Sequence, residues 1–572
     1  MLYKFLPGLL WLRGYNKGIF RNDLFSGLAI GVMLIPQGMG YAVVAGLPPE
    51  FGLYACIFPP IIYALLGTSN KISIGPVALD SILIITGLSV LAEPGSEHYL
   101  QLAVALTLMV GAIQLFFGLV KFGFIANFLS HPVIVGYTSA AAIIIIGSQL
   151  ESMLGVDVAG GNIFTLIYQL LESFKQWHWP TIGMGLFGLA FMVYPKKLFP
   201  GLPCALILLI IGMAFSGAWD AQGHGISVIA SIPQGLPAAI FPTLSTDEFL
   251  GLIPVALTVA LMGYVGTMSI CKSQEKPTDK ISATPNQELL AVGAANVLGS
   301  LFRAFPVSAS FSRSAAFREA GAKTQVSALI SSVLIAITVL FLTPLFTLYP
   351  LPKVLLSAII IMSVIGLFKY AQMKTLYTEN KREFFILIAT FAITLLLGVQ
   401  QGLLVGVALS IAMVIYNTAN PHMTELGSIE DGRLFRNTTR FENAKVRDDI
   451  LIFRFDAPLY FANKDFFIER LYQWMKNRTR NTLSSVVFDA EAVASIDSTA
   501  ILALQQVIEN LKNQNIKFYI SNAIGPVRDT IKSSSLCDYM DERLMFSTIH
   551  DAINYIDAGV NEHADIALQT NN

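Results

Sequence analysis

Long apolar runs fill most of the chain, and short polar stretches separate them. Each run is long enough to cross, or to half cross, the ~30 Å hydrocarbon layer of a bilayer as a helix. The pattern therefore predicts fourteen transmembrane segments within residues 23–420, preceded by a short segment at 1–22. These segments begin near Leu24, Phe51, Gly75, Tyr99, Pro132, Thr181, Pro203, Phe249, Leu289, Ser310, Val326, Val354, Phe384 and Leu403.

Basic residues cluster on one side of these segments. The stretches 196–197, 272–280 and 369–382 fall on the same side as the basic amino-terminal segment, whereas the opposite loops at 93–97 and 219–248 contain no Lys or Arg. An excess of Lys and Arg marks the cytoplasmic side, and an even number of segments puts both ends of the chain together. We therefore predict a multi-pass protein of the cell inner (plasma) membrane with both termini in the cytoplasm.

The pattern changes at Pro421, where charged residues begin to recur every few positions. Short runs with strand periodicity then alternate with amphipathic helical runs, which is typical of an α/β sheet. We predict a cytoplasmic α/β domain over 421–558 and a disordered polar tail over 559–572. The predicted strands are 450–455, 485–489 and 516–521, and the predicted helices are 464–477, 498–513, 527–533 and 549–556.

Composition excludes several classes of function. A mean hydropathy of +0.61, with 54% hydrophobic and 13% charged residues, leaves too little polar surface for a soluble enzyme. The net charge of −1 provides no basic face for nucleic acid. The cysteines are scattered, so neither a disulfide framework, a metal site nor a cofactor is predicted. No Ser, His and Asp set indicates catalysis, so we do not expect an enzyme.

Two segments begin with helix-breaking residues inside the predicted membrane region, at 72–80 and 305–310. Seven segments separate them, as expected for two seven-segment halves that form an inverted repeat. If both helices begin near the midplane, their free N–H groups and positive dipole ends form an anion site. Arg313 adds a full charge, and burying it costs roughly 2.5–3.5 kcal/mol on insertion scales. The alternatives are that 75–76 starts an ordinary interfacial helix and that Arg313 reaches the cytoplasmic interface or holds a backbone carbonyl.

Individual residues of the two segments suit this site. We expect Pro76 in the first helical turn, where its missing N–H is harmless, and Gly75 where the backbone approaches a ligand. Ser310 and Ser312 can cap the second helix or donate to an oxyanion.

Several motifs together resemble the SulP family of anion transporters along nearly the whole chain. The resemblance implies a fourteen-segment, 7+7 inverted-repeat fold like that of uracil permeases, in which a core domain moves against a gate domain. It also implies a homodimer and a carboxy-terminal STAS domain. The motifs are 36–41 (PQGMGY), 52–54, 67–69, 73–76, 127–132, 286–289, 296–299 and 310–314.

The resemblance also implies an anion site formed by residues of the first, third and tenth segments. Two of them have structural alternatives: Tyr41 as a packed aromatic residue and Gln37 as an interhelical hydrogen-bonding group. The implied site residues are Gln37, Tyr41, Gly75, Pro76, Val77, Ala78, Ser310, Phe311, Ser312 and Arg313.

The eighth segment departs from many proton-coupled members of the family, because Gly266 stands where they carry a carboxylate. Proton or sodium coupling through this position is therefore not expected. Asp80 lies one helical turn beyond Pro76, and we hypothesise that it carries a coupling proton. The alternative is that Asp80 pairs with Arg313 or a hydroxyl and fixes the core.

Residues 487–501 resemble the strand, loop and helix start of STAS domains, in which a serine that matches Ser498 is phosphorylated in anti-sigma antagonists. Ser498 is thus a regulatory candidate, and a cytoplasmic partner of this domain is implied. The alternative is that Asp497, Ser498 and Thr499 form an ordinary helix N-cap.

The function that we predict is secondary active transport of a small anion, with sulfate favoured, by alternating access. Bicarbonate, chloride, oxalate or a dicarboxylate stay open as substrates, since one arginine and backbone dipoles favour negative charge without reading a precise shape. A nucleobase symporter and a non-transporting anion-binding motor or sensor are further alternatives.

Overall fold

The computed structural model describes residues 6–12, 14–124, 130–158, 163–198, 203–229, 232–239, 242, 244–275, 283–429, 434–478 and 482–558. The predicted tail at 559–572 and part of the 127–132 motif lie outside these residues. The chain divides into two compact units, Met1–Ser410 and Ile411–Asn572. The predicted domain boundary at Pro421 lies beyond this division.

The described part of the amino-terminal unit consists almost entirely of helices, and two of its four two-residue strands precede the short helices of the candidate site. In its first half, the elements are α1 (Lys17–Val44), α2 (Pro49–Ala55), α3 (Phe58–Leu66), β1 (Ile74–Gly75), α4 (Ala78–Leu88), α5 (Glu97–Leu119), α6 (His131–Leu154), α7 (Ile163–Glu172), α8 (Trp179–Leu198), α9 (Cys204–Trp219) and β2 (Val228–Ile229).

The second half repeats this alternation of long helices with one interrupted segment. Its elements are α10 (Thr246–Gln274), α11 (Pro285–Ser300), β3 (Ser308–Ala309), α12 (Phe311–Glu319), α13 (Val326–Ile337), α14 (Pro344–Leu348), β4 (Leu351–Pro352), α15 (Lys353–Val364), α16 (Tyr370–Glu379), α17 (Lys381–Leu397) and α18 (Val399–Ala419).

Hydrophobic patterning accounts for these elements. Each of the fourteen predicted segment starts lies within one of these elements or at the cap of one. Seven of the described helices are long and apolar enough to cross a membrane. α4 and α12 are shorter, because each follows an extended tip, β1 or β3, inside the unit.

Glycines bring α5 and α11 into close contact. A Cβ at Gly111 would lie 2.6 Å from the backbone nitrogen of Val297, and a Cβ at Gly293 would lie 2.7 Å from that of Leu115. Only glycine permits such an approach of two helix backbones. The contact brings polar side chains of both helices within reach of each other next to β3.

The carboxy-terminal unit contains a six-stranded sheet in the order β10-β9-β8-β7-β5-β6. Its central strands are parallel, and β5 is antiparallel to both of its neighbours. Buried aromatic residues such as Phe453, Phe467 and Phe488 form the core against the helices. The elements are β5 (Met423–Ile429), β6 (Leu434–Asn437), β7 (Ile450–Phe455), α19 (Lys464–Lys476), β8 (Ser485–Asp489), α20 (Ser498–Asn513), β9 (Lys517–Ser521), α21 (Gly525–Lys532), β10 (Met545–Phe546) and α22 (Ile549–Asp557).

Candidate functional site

The two interrupted segments meet at their tips. β1 and β3 pair in antiparallel fashion, with Ile74 opposite Ala309 and Gly75 opposite Ser308. The backbone N–H of Ser310 also donates to the carbonyl of Ser73, at 3.2 Å. α4 and α12 begin directly after these strands, so their amino-terminal ends lie side by side. Free N–H groups and two positive dipole ends are thus concentrated in one place.

Arg313 lies in the first turn of α12 and is fully buried, with 0% of its surface exposed. Its Nη1 donates to the carbonyl oxygen of Pro76 at 2.6 Å, which ties α12 to the tip before α4. Its Nε and Nη2 are buried and have no hydrogen-bond partner among the described residues. A buried donor without a partner costs about 1–3 kcal/mol, and more when it is charged. The guanidinium therefore has two donors for a ligand.

The structure corrects the expected position of Pro76. α4 begins at Ala78 with Val77 as its N-cap, so Pro76 precedes the helix instead of lying in its first turn. Val77 has no side-chain oxygen to satisfy the first amides of α4, so these amides are free to donate. Gly75 has a φ of +156°, and a Cβ there would lie 3.3 Å from Arg313 Nη2. Both features favour glycine at this position.

Serines form the amino-terminal turn of α12. Ser310 is the N-cap, and its Oγ accepts from the backbone N–H of Arg313 at 3.4 Å. Its Oγ also lies 3.2 Å from the Oγ of Ser312, which is an exposed residue. Phe311 begins the helix, and its side chain lies outside the described part of the structure. Ser310 and Ser312 thus flank the turn that presents Arg313.

The two residues expected from α1 are both buried, Gln37 at 7% and Tyr41 at 4% exposure. Gln37 Oε1 has no hydrogen-bond partner in the described part of the chain. The hydroxyl of Tyr41 donates to Ser363 Oγ at 3.1 Å, near the end of α15. α1 also approaches the tips, since a Cβ at Gly75 would lie 3.6 Å from Leu34 Cδ2.

Asp80 lies in the first turn of α4 and is buried. Its Oδ2 accepts a hydrogen bond from Ser308 Oγ at 2.6 Å, so a carboxyl from one half contacts a hydroxyl from the other. No ion pair joins Asp80 to Arg313 in the described structure. α10 borders the same region, where Thr267 Oγ1 accepts from the N–H of Ala309 at 3.1 Å. A Cβ at Gly266 would meet no atom within 4 Å.

The sequence did not predict a clamp, formed by Asn296 and Gln114, that holds the residue before β3 through hydrogen bonds. Asn296 Oδ1 accepts from the N–H of Val307 at 2.8 Å, and its Nδ2 donates to the carbonyl of Val307 at 3.2 Å. Nδ2 also donates to Gln114 Oε1 at 2.9 Å, and Gln114 donates in turn to the carbonyl of Ala260. This buried network links α5, α10 and α11 to the tip. Asn296 lies in the 296–299 motif, which was the only signal in the sequence.

A second clamp holds the residues before β1, and the sequence did not predict it either. Buried Glu288 accepts from Tyr63 Oη at 2.7 Å and from the backbone N–H of Thr68 at 2.8 Å. Gln325 Nε2 donates to the carbonyl of Ile72 at 3.0 Å, and Ser314 Oγ accepts from the N–H of Ser73 at 3.0 Å. The extended backbone before β1 is thus fixed by side chains of the second half. Glu288 belongs to the 286–289 motif.

Comparison with known proteins follows the same division of the chain. Residues 20–390 match the sulfate permease family, and residues 443–552 match the STAS domain. The chain belongs to the sulfate permease family. It is therefore a transporter with a carboxy-terminal STAS domain and not an enzyme, as its sequence predicts.

Curated relatives of this family cover almost the whole chain. "Sulfate transporter 4.1, chloroplastic" of Arabidopsis thaliana is 34% identical over 96% of this chain and 82% of its own length. A probable sulfate transporter of Mycobacterium tuberculosis is 32% identical over 96% of this chain and 97% of its own length.

Solved structures confirm the predicted fold. Murine Solute Carrier 26 family member A9, an anion transporter in the inward-facing state, is 26% identical with a TM-score of 0.88, over 97% of this chain and 94% of its own. A transmembrane domain of a cyanobacterial bicarbonate transporter matches with a TM-score of 0.60 at 21% identity, over 68% of this chain and 98% of its own. The fold is the fourteen-segment 7+7 inverted repeat with a STAS domain.

Ser498 lies outside the membrane region, at the first position of α20. It is exposed, and Asp497 is the N-cap, whose Oδ1 accepts from the N–H of Ala500 at 2.7 Å. The capping role therefore belongs to Asp497. The Ser498 hydroxyl lies at a helix amino terminus, where an added phosphate would be tolerated.

Proposed function

We propose that this sulfate permease family member moves sulfate across the cytoplasmic membrane as a secondary active transporter. Anion transport itself follows from the family. The choice of sulfate is supported by relatives that are named sulfate transporters at 34% and 32% identity. It also agrees with the chemistry of the tips, because a tetrahedral dianion can accept from several converging donors at once.

The observation that carries this proposal is the buried Arg313 with two unpartnered donors. The guanidinium points at the backbone of the opposite tip, beside the uncapped start of α4. An oxyanion between the tips would accept from Arg313 and from the free amides of both helices. We assign the proposed binding site to Gln37, Tyr41, Gly75, Pro76, Val77, Ala78, Ser310, Phe311, Ser312 and Arg313.

Alternating access would carry the bound anion past the gate domain. We further propose that Asp80 binds the coupling proton, since its carboxyl adjoins the same tips through Ser308. The proposal also includes a homodimer and cytoplasmic termini. Its domain limits are 1–22, 23–420, 421–558 and 559–572. We assign regulation, through a cytoplasmic partner or phosphorylation, to Ser498 on the STAS domain.

Uptake into proteoliposomes tests the proposal. Labelled sulfate and labelled bicarbonate are offered in parallel, with and without gradients of pH, sodium and counter-anion. We expect concentrative sulfate uptake that depends on a pH gradient and that excess unlabelled sulfate inhibits. Uptake of bicarbonate alone would refute the substrate assignment, and uptake that requires only a counter-anion would refute proton coupling.

A further inference from the structure

A cleft of about 300 Å³ in the carboxy-terminal unit is lined by arginines that the transport site does not use. It lies beside β6, the edge strand of the sheet, and next to the end of β7. Its volume is at the lower limit of small-molecule sites, which is about 300 Å³. The cleft can therefore hold a single ring-sized or phosphate-sized group. It is lined by His422, Phe435, Arg436, Asn437, Arg440, Phe441, Arg454 and Asp456.

Backbone hydrogen bonds fix the walls of this cleft. β5 pairs with β6 on one side and with β7 on the other. The N–H groups of Arg440 and Phe441 both donate to the carbonyl of Asn437, at 3.2 and 3.1 Å, and form the turn after β6. On the opposite wall, the N–H of Asp456 donates to the carbonyl of His422 at 3.0 Å. The cleft is thus part of the folded sheet edge.

The charges in the cleft do not balance. Asp456 is the one carboxylate of the lining, and it already binds Arg454 at 2.6 Å and His422 at 2.6 Å. The side chains of Arg436 and Arg440 form no hydrogen bond or ion pair with any residue that the structure describes, although their backbones are paired. Three arginines against one carboxylate give a net charge of +2 when His422 is neutral. Two guanidinium groups are therefore available to an anion.

We propose that this cleft binds a phosphate monoester, with Arg436 and Arg440 as the charged donors. The planar guanidinium matches a phosphate group in bidentate fashion, which a lysine cannot do. Phe435 and Phe441 provide an apolar wall for the group that carries the phosphate. The ligand is thus a phosphorylated molecule with an apolar portion.

The position of the cleft along the chain favours a lipid as the source of this group. His422 follows the apolar span Gln401–Ala419 by three residues. Three residues span at most about 11 Å, so this wall of the cleft stays near the end of that helix. Basic groups close to a membrane span bind anionic headgroups. A soluble phosphate ester offers the same chemistry, and the experiment separates the two.

The test uses the full chain in nanodiscs. Phosphatidic acid, whose headgroup is a phosphate monoester, is compared with phosphatidylcholine alone by native mass spectrometry of the released protein. Phenyl phosphate is the soluble probe, titrated calorimetrically into protein in phosphatidylcholine nanodiscs. Both arms are repeated in an Arg313→Ala background, so that binding at the transport site is not mistaken for binding at the cleft.

We expect phosphatidic acid to bind in both backgrounds, and Arg436→Gln and Arg440→Gln each to weaken it roughly tenfold or more. Arg470→Gln, which changes another exposed arginine of the same unit, is the matched control and should bind like the wild type. Binding of phenyl phosphate with the same dependence on the two arginines, without lipid binding, assigns the site to a soluble ester. Binding of neither probe, or equal binding by the double variant, overturns the proposal.

Discussion

Arg313 is the residue in which burial and charge conflict most strongly. Its side chain is fully buried, yet only Nη1 has a partner among the described residues. A buried cation without sufficient partners is costly, so such a side chain needs a functional reason to remain in place. In the proposed site, a bound oxyanion would supply the missing partners. Relief of the cost of the unpartnered donors would then add to the affinity for the anion.

Replacing Arg313 by alanine should weaken sulfate binding by roughly 1.5–3 kcal/mol, or about tenfold to a hundredfold in Kd, because a charge-assisted contact is lost. Equilibrium binding of labelled sulfate to purified protein measures this change. Arg318→Ala, an exposed arginine on the same helix, is the matched control and should keep the wild-type affinity. Wild-type affinity in Arg313→Ala would contradict the site.

In the STAS domain, the buried carboxyl of Asp489 is expected to make stability depend on pH. Burial raises the pKa of Asp489, and hydrogen bonds from Asn522 and the Glu491 amide oppose this only in part. The folded domain then holds the proton more tightly than the unfolded chain does. The contribution to stability is complete below the ordinary aspartate pKa of about 4 and is lost as pH rises through the folded value.

Asp489→Asn keeps the Oδ1 acceptor and removes this titration. The free energy of unfolding of the variant should therefore fall less between about pH 4 and 7 than that of the wild type. Hydrogen exchange of the β8 and β9 amides, compared at equal pH, measures the difference. Asp529→Asn, at an exposed position, is the control. An equal pH dependence in wild type and Asp489→Asn would show that burial of this carboxyl does not matter.

At the scale of elements, hydrophobic patterning predicts most of the structure. The predicted strands 450–455 and 485–489 agree with β7 and β8, because short apolar runs mark central parallel strands that are buried on both faces. Three strands of this sheet, β5, β6 and β10, were not predicted. β6 and β10 are short edge strands, and β5 mixes polar and apolar residues, so these sequences resemble loops. Pro76 shows the same limit, because a proline suits either the first helical turn or the extended residue before it.

The polar clamps could not be predicted, because they join distant parts of the chain. Glu288 contacts Thr68, and Gln114 contacts Asn296, across 220 and 182 positions. Such long-range contacts leave no periodic pattern in the sequence. The motifs around Glu288 and Asn296 mark them as unusual, but their roles emerge only when the halves of the fold are brought together. The meeting of the two tips beside a buried Arg313 was predictable, because proline, glycine and arginine interrupt apolar sequence.

Gly75 allows a specific test of the tip. Gly75→Ala adds a Cβ at a φ of +156° and 3.3 Å from Arg313 Nη2, so the strand must shift or the guanidinium must move. Such strain costs about 1–3 kcal/mol. We expect sulfate affinity to fall by roughly tenfold or more, with a lower unfolding temperature in detergent.

Gly266→Ala is the matched control, because a Cβ there meets no atom within 4 Å. This variant should bind sulfate and unfold much like the wild type. If the two glycine variants behaved alike, the close approach of Gly75 to Arg313 would have no role in binding.

At the scale of the whole molecule, the inverted repeat brings a carboxyl from one half to a hydroxyl from the other. Asp80 on α4 accepts from Ser308 on β3, next to the paired tips. Gly266 of the eighth segment carries no acidic group, and a Cβ there would meet no atom within 4 Å. This arrangement makes Asp80 the proposed proton carrier.

Asp80→Asn tests this role, because asparagine can still accept from Ser308 but cannot exchange a proton. Stimulation of sulfate uptake by an imposed pH gradient should disappear in proteoliposomes. Sulfate binding at one pH should change by less than about tenfold, since the contact with Ser308 is kept. Unchanged gradient dependence in the variant would refute the proton role and leave Asp80 as a residue that fixes the core.

The pairing of β1 with β3 has a further consequence for the transport cycle. Because β1 and β3 are joined by one small ladder of backbone hydrogen bonds, the proposed anion site is a single unit formed by both halves of the fold. An anion that arrives from either compartment would then meet the same donors in the same arrangement. The direction of transport would be set by the ion gradients across the membrane and not by the anion site itself.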